Sequence, residues 1–184
     1  MAEHCTDNAN DRATGAYWER EFGIMAAQNG KVFSFMQIGR TESAQFYSFP
    51  GGKWRRYTLP DIAIWTSPGE HHEIKHKAPT ARGRFGLEVY RFAALMEFAG
   101  ITGQRVMYTI HNHALSGGPS VRENNIAHWV TANVTDLDGH WTGEYPGSSW
   151  VNGTKKEVPI YYWDATMWQP LRAFWLLPID TPSL

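Results

Sequence analysis

Leu59-Pro60-Asp61-Ile62-Ala63-Ile64-Trp65, then the turn Ser67-Pro68-Gly69, then His71-His72-Glu73-Ile74-Lys75-His76-Lys77: this stretch decides how the 184-residue chain is read. Two short β-like runs flanking a Ser-Pro-Gly turn predict a hairpin. Glu73 and Lys75 are two apart, so on a strand their side chains share one face while Ile74 points to the other. A loop centred on Pro68 sets Asp61 opposite Lys75 and Ala63 opposite Glu73. Asp61 and Glu73 are then diagonal neighbours on one face, roughly 5–8 Å apart. A two-residue loop would shift the register by one and separate them. Two carboxylates this close repel unless a positive charge lies between them, and a hard divalent cation such as Mg²⁺ suits one or two carboxylates plus phosphate oxygens. A lysine on the same face can orient a metal-activated water and stabilise charge beside it. The same pattern also describes a solvated strand face with cross-strand ion pairs.

Working outward, residues 86–99 turn helical, with Leu87, Tyr90, Ala94 and Phe98 on one face and Gly100 and Gly103 as stops. The run 106–111 reads as a buried strand, so strand, helix and strand form a crossover of expected right hand. Upstream, a helix over 17–28 opens at Thr14 and closes at Asn29-Gly30. Strands are expected at 32–36 and 45–49, the second ending at Pro50-Gly51-Gly52. Residues 125–137 fit helix or strand equally, and 141–175, with five of the nine tryptophans, resists assignment. The class is α/β or α+β with a mixed sheet.

Composition sets the outer limits. Apolar residues make up 42% of the chain, and 9 Trp, 8 Tyr and 9 Phe supply an unusual aromatic load. That excludes disorder for most of the length and suffices for one domain spanning 1–184, with 1–13 as a flexible N-terminus. A net charge of −1 excludes nucleic-acid binding by bulk charge, so any such binding needs a local patch. Cys5 is the single cysteine, which excludes an internal disulfide and fits a reducing compartment. No apolar run is long enough to span a membrane, and the polar N-terminus does not resemble a signal peptide, so a cytoplasmic location is expected.

The order Pro60-Asp61, Glu73-Ile74-Lys75, helix from 86 and strand from 106 resembles the PD-(D/E)XK nuclease superfamily, the restriction-endonuclease-like fold shared with Holliday-junction resolvases. The resemblance covers roughly 15–113, leaving 114–184 as an aromatic-rich C-terminal elaboration. It implies a mixed β-sheet flanked by helices and a deoxyribonuclease using Mg²⁺ or Mn²⁺, of the endonuclease kind. It also implies that Asp61, Glu73 and the Ile74 carbonyl ligate the metal and that Lys75 is the catalytic lysine. An acidic residue on the N-terminal helix would support the metal or its waters: Glu19, with Glu21 as second choice. Compact members of the superfamily often work as homodimers, and exposed C-terminal tryptophans would suit such a surface.

Other residues enter through spacing. Arg91 falls within the apolar stripe of the second helix, where a charge is either paired with the active-site carboxylates, set against a DNA phosphate, or snorkels at the edge. The window 53–91 carries eight basic residues (Lys53, Arg55, Arg56, Lys75, Lys77, Arg82, Arg84 and Arg91) against four acidic ones. It contains the proposed catalytic hairpin, so DNA is expected to approach there. Trp54 within it suits base stacking or simple packing. His111 and His113, two apart on a strand, are a possible zinc pair, with His128 or His140 as further donors. Three readings therefore stand: a nuclease, a non-catalytic DNA- or protein-binding module of the same fold, and a zinc-stabilised interaction domain.

Overall fold

A computed structural model describes residues 8–36, 45–48, 55–66, 69–151 and 154–176. Lys53 and Trp54 lie outside them. The first helix, α1, spans Asn8–Gln28. It starts well before the expected position at 17, because Ala9, Ala13 and Ala16 favour helix and the isolated Gly15 costs only about 1 kcal/mol. Trp18, Phe22, Met25 and Ala26 form its buried stripe. Its end is the expected one: Gly30 takes φ 72°, and the amides of Gly30 and Lys31 bond back to the carbonyls of Ala27 and Ala26 at 3.0 and 2.9 Å.

Strand β1 is Phe33–Phe35, followed by β2 (Gln45–Ser48) and β3 (Arg55–Thr58), which pair with each other. The hairpin strands are β4 (Ile62–Ile64) and β5 (Glu70–Lys77). They are antiparallel, with Ile62 against His72 and Ile64 against Glu70. The expected register is corrected by two residues: continuing the ladder sets Asp61 opposite Glu73, not Lys75. A slip of two preserves side-chain parity, so the shared face survives, whereas a slip of one would have destroyed it.

The expected helix start at 86 is also corrected. Arg84–Glu88 is strand β6, with Phe85 and Leu87 buried in alternation, and α2 begins only at Val89 and runs to Thr102. Its buried residues are Phe92, Leu95, Phe98 and Ala99, while Tyr90 is half exposed. Gly103, at φ 65°, closes it by donating to the Ala99 carbonyl at 2.9 Å. Next come β7 (Arg105–Asn112) and, beyond a 3₁₀ turn at Ile126–His128, β8 (Trp129–Asn133) and the short α3 (Val134–Leu137). The ambiguous 125–137 segment is thus both strand and helix, divided by Asn133, whose side chain accepts the Thr135 amide. The C-terminal third forms β9 (Gly143–Val151), β10 (Thr154–Asp164), β11 (Gln169–Pro170) and α4 (Leu171–Leu176).

Six strands make a mixed sheet in the order β1-β4-β5-β7-β8-β11, and a second sheet is ordered β6-β10-β9. β5 and β7 are parallel, joined through α2, with Glu70 beside Arg105 and Lys77 beside Asn112. This is the mixed α/β architecture expected from the hairpin-helix-strand order. Apolar groups gather on both faces of the main sheet. Trp18, Phe22, Ile62, Ile74, Met107 and Trp129 pack on the α1 side. Phe92, Leu95, Phe98, Tyr108, Ile110 and Trp163 pack on the α2 side. The second sheet closes the latter core: Trp163 lies 5.1 Å from Phe92, and its ring N–H donates to the Leu137 carbonyl at 2.7 Å. Trp163 and Trp168 are therefore core residues, whereas Trp141 is exposed. Among the described residues no helix is long and apolar enough to cross a membrane.

Leu95 is fully buried in the α2-side core. Leu95→Ala should therefore lower unfolding stability in urea by about 2–5 kcal/mol. Ile101→Ala, on the exposed side of the same helix, should change it by less than about 0.5 kcal/mol.

Candidate active site

Odd-numbered residues of β5 face α2 and even-numbered ones face α1. Glu73 meets Arg91 of α2, whereas the His72 ring lies 4.9 Å from Phe22 of α1. Asp61, one residue before β4, is tied to β5 by two bonds. Its amide donates to the His72 carbonyl at 2.9 Å, and its Oδ2 accepts the Ile74 amide at 2.7 Å. Pro60 ahead of it has no amide to place, which suits the mouth of a strand.

Glu73 is completely buried. Arg91 reaches both of its oxygens, Nε to Oε1 at 3.0 Å and Nη2 to Oε2 at 2.5 Å. Lys75 Nζ also donates to Oε1, and to the Ile74 carbonyl at 3.2 Å. Arg91 is accordingly not a snorkelling residue: it is the two-pronged partner of a buried carboxylate. Burial pushes Glu73 upward, but the charges of Arg91 and Lys75 and the bonds they donate outweigh it and hold the group at about 2. Asp61 moves the other way. Burial and then the Glu73 charge raise it to about 7, against the opposing pull of Lys75 and Arg91, and the Glu19 charge on α1 adds a further upward push. For Lys75 burial is outweighed by Glu73 and Asp61, which raise it and keep it charged.

Asp61, Glu73, Ile74 and Lys75 are thus one cluster, with Glu19 within electrostatic reach and Arg91 joined to it. The remaining basic residues are more dispersed. Lys77 shares the Glu73 face but turns inward: Nζ donates to the Gly86 carbonyl at 2.7 Å and lies 5.5 Å from the Tyr108 ring centre. Burial lowers it to about 8. Arg82 is exposed and Arg84 half-buried, and Arg55 and Arg56 lie on β3. Tyr108 donates to the same Gly86 carbonyl at 2.9 Å. Gly86 has no side chain because a Cβ there would fall 2.7 Å from the Tyr162 ring. Only the parallel register brings Lys77 and Tyr108 to that one carbonyl, and no local pattern signals it.

The donors around Asp61 are all oxygen: two carboxylates and the Ile74 carbonyl, with the Lys75 ammonium bonded to two of the three groups. Among the described residues no three His, Cys, Asp or Glu side chains converge in a ready-made metal geometry. The expected His111-x-His113 strand pair is corrected as well. β7 ends at Asn112, so His113 lies beyond the strand, and the ring beside His111 is that of His76.

No protein-family model matches the chain, and no curated protein matches it. Among solved structures it is similar to the Holliday junction resolvase Hjc of the archaeal hyperthermophile Archaeoglobus fulgidus. The identity is 14%, over 88% of this chain and 99% of that chain, with a TM-score of 0.49.

The raised Asp61 pKa has a stability consequence. Folded Asp61 keeps its proton to about pH 7, whereas the unfolded chain releases it near 3.8. Between these values the folded state binds more protons, so stability falls as pH rises. Glu73 acts oppositely, its contribution being lost only as pH falls from 4.5 towards 2. In chelator-treated protein, Asp61→Asn should match wild type near pH 4 and become more stable than it by pH 8, by on the order of 4 kcal/mol. Parallel stability profiles in urea across that range would contradict the assignment.

Proposed function

We propose that this chain is a metal-dependent deoxyribonuclease, an endonuclease that hydrolyses phosphodiester bonds of DNA with Mg²⁺ or Mn²⁺. The observation that carries this reading is the placement of Asp61, one residue before β4 and bonded to the Ile74 amide, within electrostatic reach of Glu73 on β5, with Lys75 on the same face. An all-oxygen donor set suits a hard divalent cation. An aspartate that keeps its proton to about pH 7 beside an ionised glutamate marks a place short of positive charge. Asp61, Glu73 and the Ile74 carbonyl are the groups that would hold the ion. When bound, such a cation acidifies a water and neutralises charge on a phosphoryl oxygen.

The chain's own groups do the rest. The Lys75 side chain, one-third exposed, orients the attacking water and stabilises charge that grows as the phosphoryl group becomes five-coordinate. Attack proceeds in line and a 3′-hydroxyl leaves. Arg91 fixes the orientation of the Glu73 carboxylate, and Glu19 holds waters on the α1 side. DNA phosphates are met by Lys53, Arg55, Arg56, Arg82 and Arg84, whereas Arg91 and Lys77, also expected there, are taken up by Glu73 and the Gly86 carbonyl. Cutting both strands of a duplex calls for two copies, so a homodimer is part of the proposal.

A second reading, a non-catalytic DNA- or protein-binding module, is favoured by one feature: Arg91 and Lys75 already neutralise Glu73 without any added ion. Lys75→Ala separates the two. Its contribution belongs to the transition state, so the variant should bind DNA in Ca²⁺ with wild-type affinity and cleave in Mg²⁺ about 10²–10³-fold more slowly. Wild-type cleavage by the variant removes Lys75 from the chemistry.

A further inference from the structure

On the sheet face opposite Glu73, the ends of β5 and β7 gather histidines that the proposed reaction does not use. His76 and His111 are register partners on these parallel strands. Their Nδ1 atoms face each other at 3.0 Å. Trp18 lies flat against both rings, with centroids 4.7 Å from His76 and 3.7 Å from His111 and interplanar angles of 14° and 20°. The indole therefore fixes the two imidazoles edge to edge. The His113 ring is 5.0 Å from His76, and that of His128 is 5.9 Å from His111.

The proton arithmetic of this pair is unfavourable as it stands. His76 Nε2 faces the Pro119 carbonyl at 3.3 Å. A carbonyl only accepts, so neutral His76 carries its proton on Nε2 and presents a bare lone pair at Nδ1. His111 then has two choices. With its proton on Nδ1 it bonds His76, but its buried Nε2 is left with no hydrogen-bond partner. With its proton on Nε2, two lone pairs confront each other across the gap. Neither arrangement satisfies all four ring nitrogens.

A cation between the Nδ1 atoms resolves this. Bonds of about 2.0–2.1 Å at right or tetrahedral angles place two ligand nitrogens roughly 2.9–3.4 Å apart, which includes the observed separation. The His111 proton then belongs on Nε2, and the Pro119 carbonyl takes the outer N–H of His76, the usual support of a histidine ligand. We propose that His76 and His111, joined by His113 after a side-chain rotation, bind one divalent transition cation of the zinc class. Imidazole donors suit such a cation, and Mg²⁺ prefers the oxygen site around Asp61. His76 and His113 are half-exposed, which leaves the gap open to an entering ion. Arg122, whose charge also reaches His76, is held over the Tyr17 ring at 4.5 Å. The bound ion would pin the start of the 113–125 segment to the sheet.

The test is a Zn²⁺ titration of the full chain at pH 7.5 against a chromophoric chelator, on wild type, His76→Gln, His113→Gln and Asp61→Asn, with millimolar Mg²⁺ present throughout. One Zn²⁺ per chain is expected in wild type and in Asp61→Asn. Each histidine variant should bind at least about tenfold more weakly. No zinc uptake by wild type, wild-type affinity in either histidine variant, or loss of binding in Asp61→Asn would each overturn the proposal. Because Asp61 belongs to the other face, these outcomes are independent of whether the chain cleaves DNA.

Discussion

A carboxylate buried without any exposure has to be paired, and Glu73 is paired from two directions. Arg91 comes from α2 and Lys75 from its own strand. An uncompensated ion at that depth would cost several kcal/mol, so neither partner can leave without another cation arriving. That requirement joins the elements of the fold. It draws α2 onto the sheet at Arg91 and aligns the Glu73 side of β5 with the helix. It also brings Asp61 under the influence of an already ionised neighbour. The opposite pKa displacements of the two acids follow from this asymmetry: Glu73 holds the positive partners, and Asp61 beside it keeps a proton to about pH 7. Pairs of titratable groups pushed apart by their environments are characteristic of reactive sites.

Glu73, Lys75 and Asp61 were legible in the sequence because strand parity is a two-residue rule that tolerates an even slip. The true register differs from the expected one by two residues, and the shared face is unchanged. Gly30 and Gly103 could be read as helix ends because their positive φ angles do what their position implies. Three features were not legible. The alternation of Phe85 and Leu87 around Gly86 looks like a helical stripe until a strand is known to lie beside it. The aromatic C-terminal third has no local period that distinguishes a core sheet from an exposed surface, and only its packing on Phe92 and Leu137 decides the matter. The pairing of His76 with His111 depends on a parallel register set through a crossover helix, which local sequence does not encode.

The two faces of the central strand β5 therefore carry different chemistry. Glu73, Lys75 and Lys77 look towards α2, and the polar groups there are charged and matched. His72 and His76 look towards α1, where the groups are imidazoles. His72 is satisfied by Thr109 at 2.8 Å and Glu70 at 3.0 Å, and the His76 pair is one donor short. Period-two alternation alone keeps an oxygen-rich site and a nitrogen-rich site apart within a few residues.

The central claim, that the apposed Asp61 and Glu73 make this chain a metal-dependent nuclease, is tested most directly by a cleavage assay. Purified protein would be incubated with plasmid, linear duplex, four-way junction and single-stranded DNA in Mn²⁺ or EDTA, with Asp61→Asn alongside. The account predicts cleavage of at least one substrate by wild type in Mn²⁺, none in EDTA and none by the variant. DNA binding that is indifferent to metal, with every substrate left intact, would contradict it.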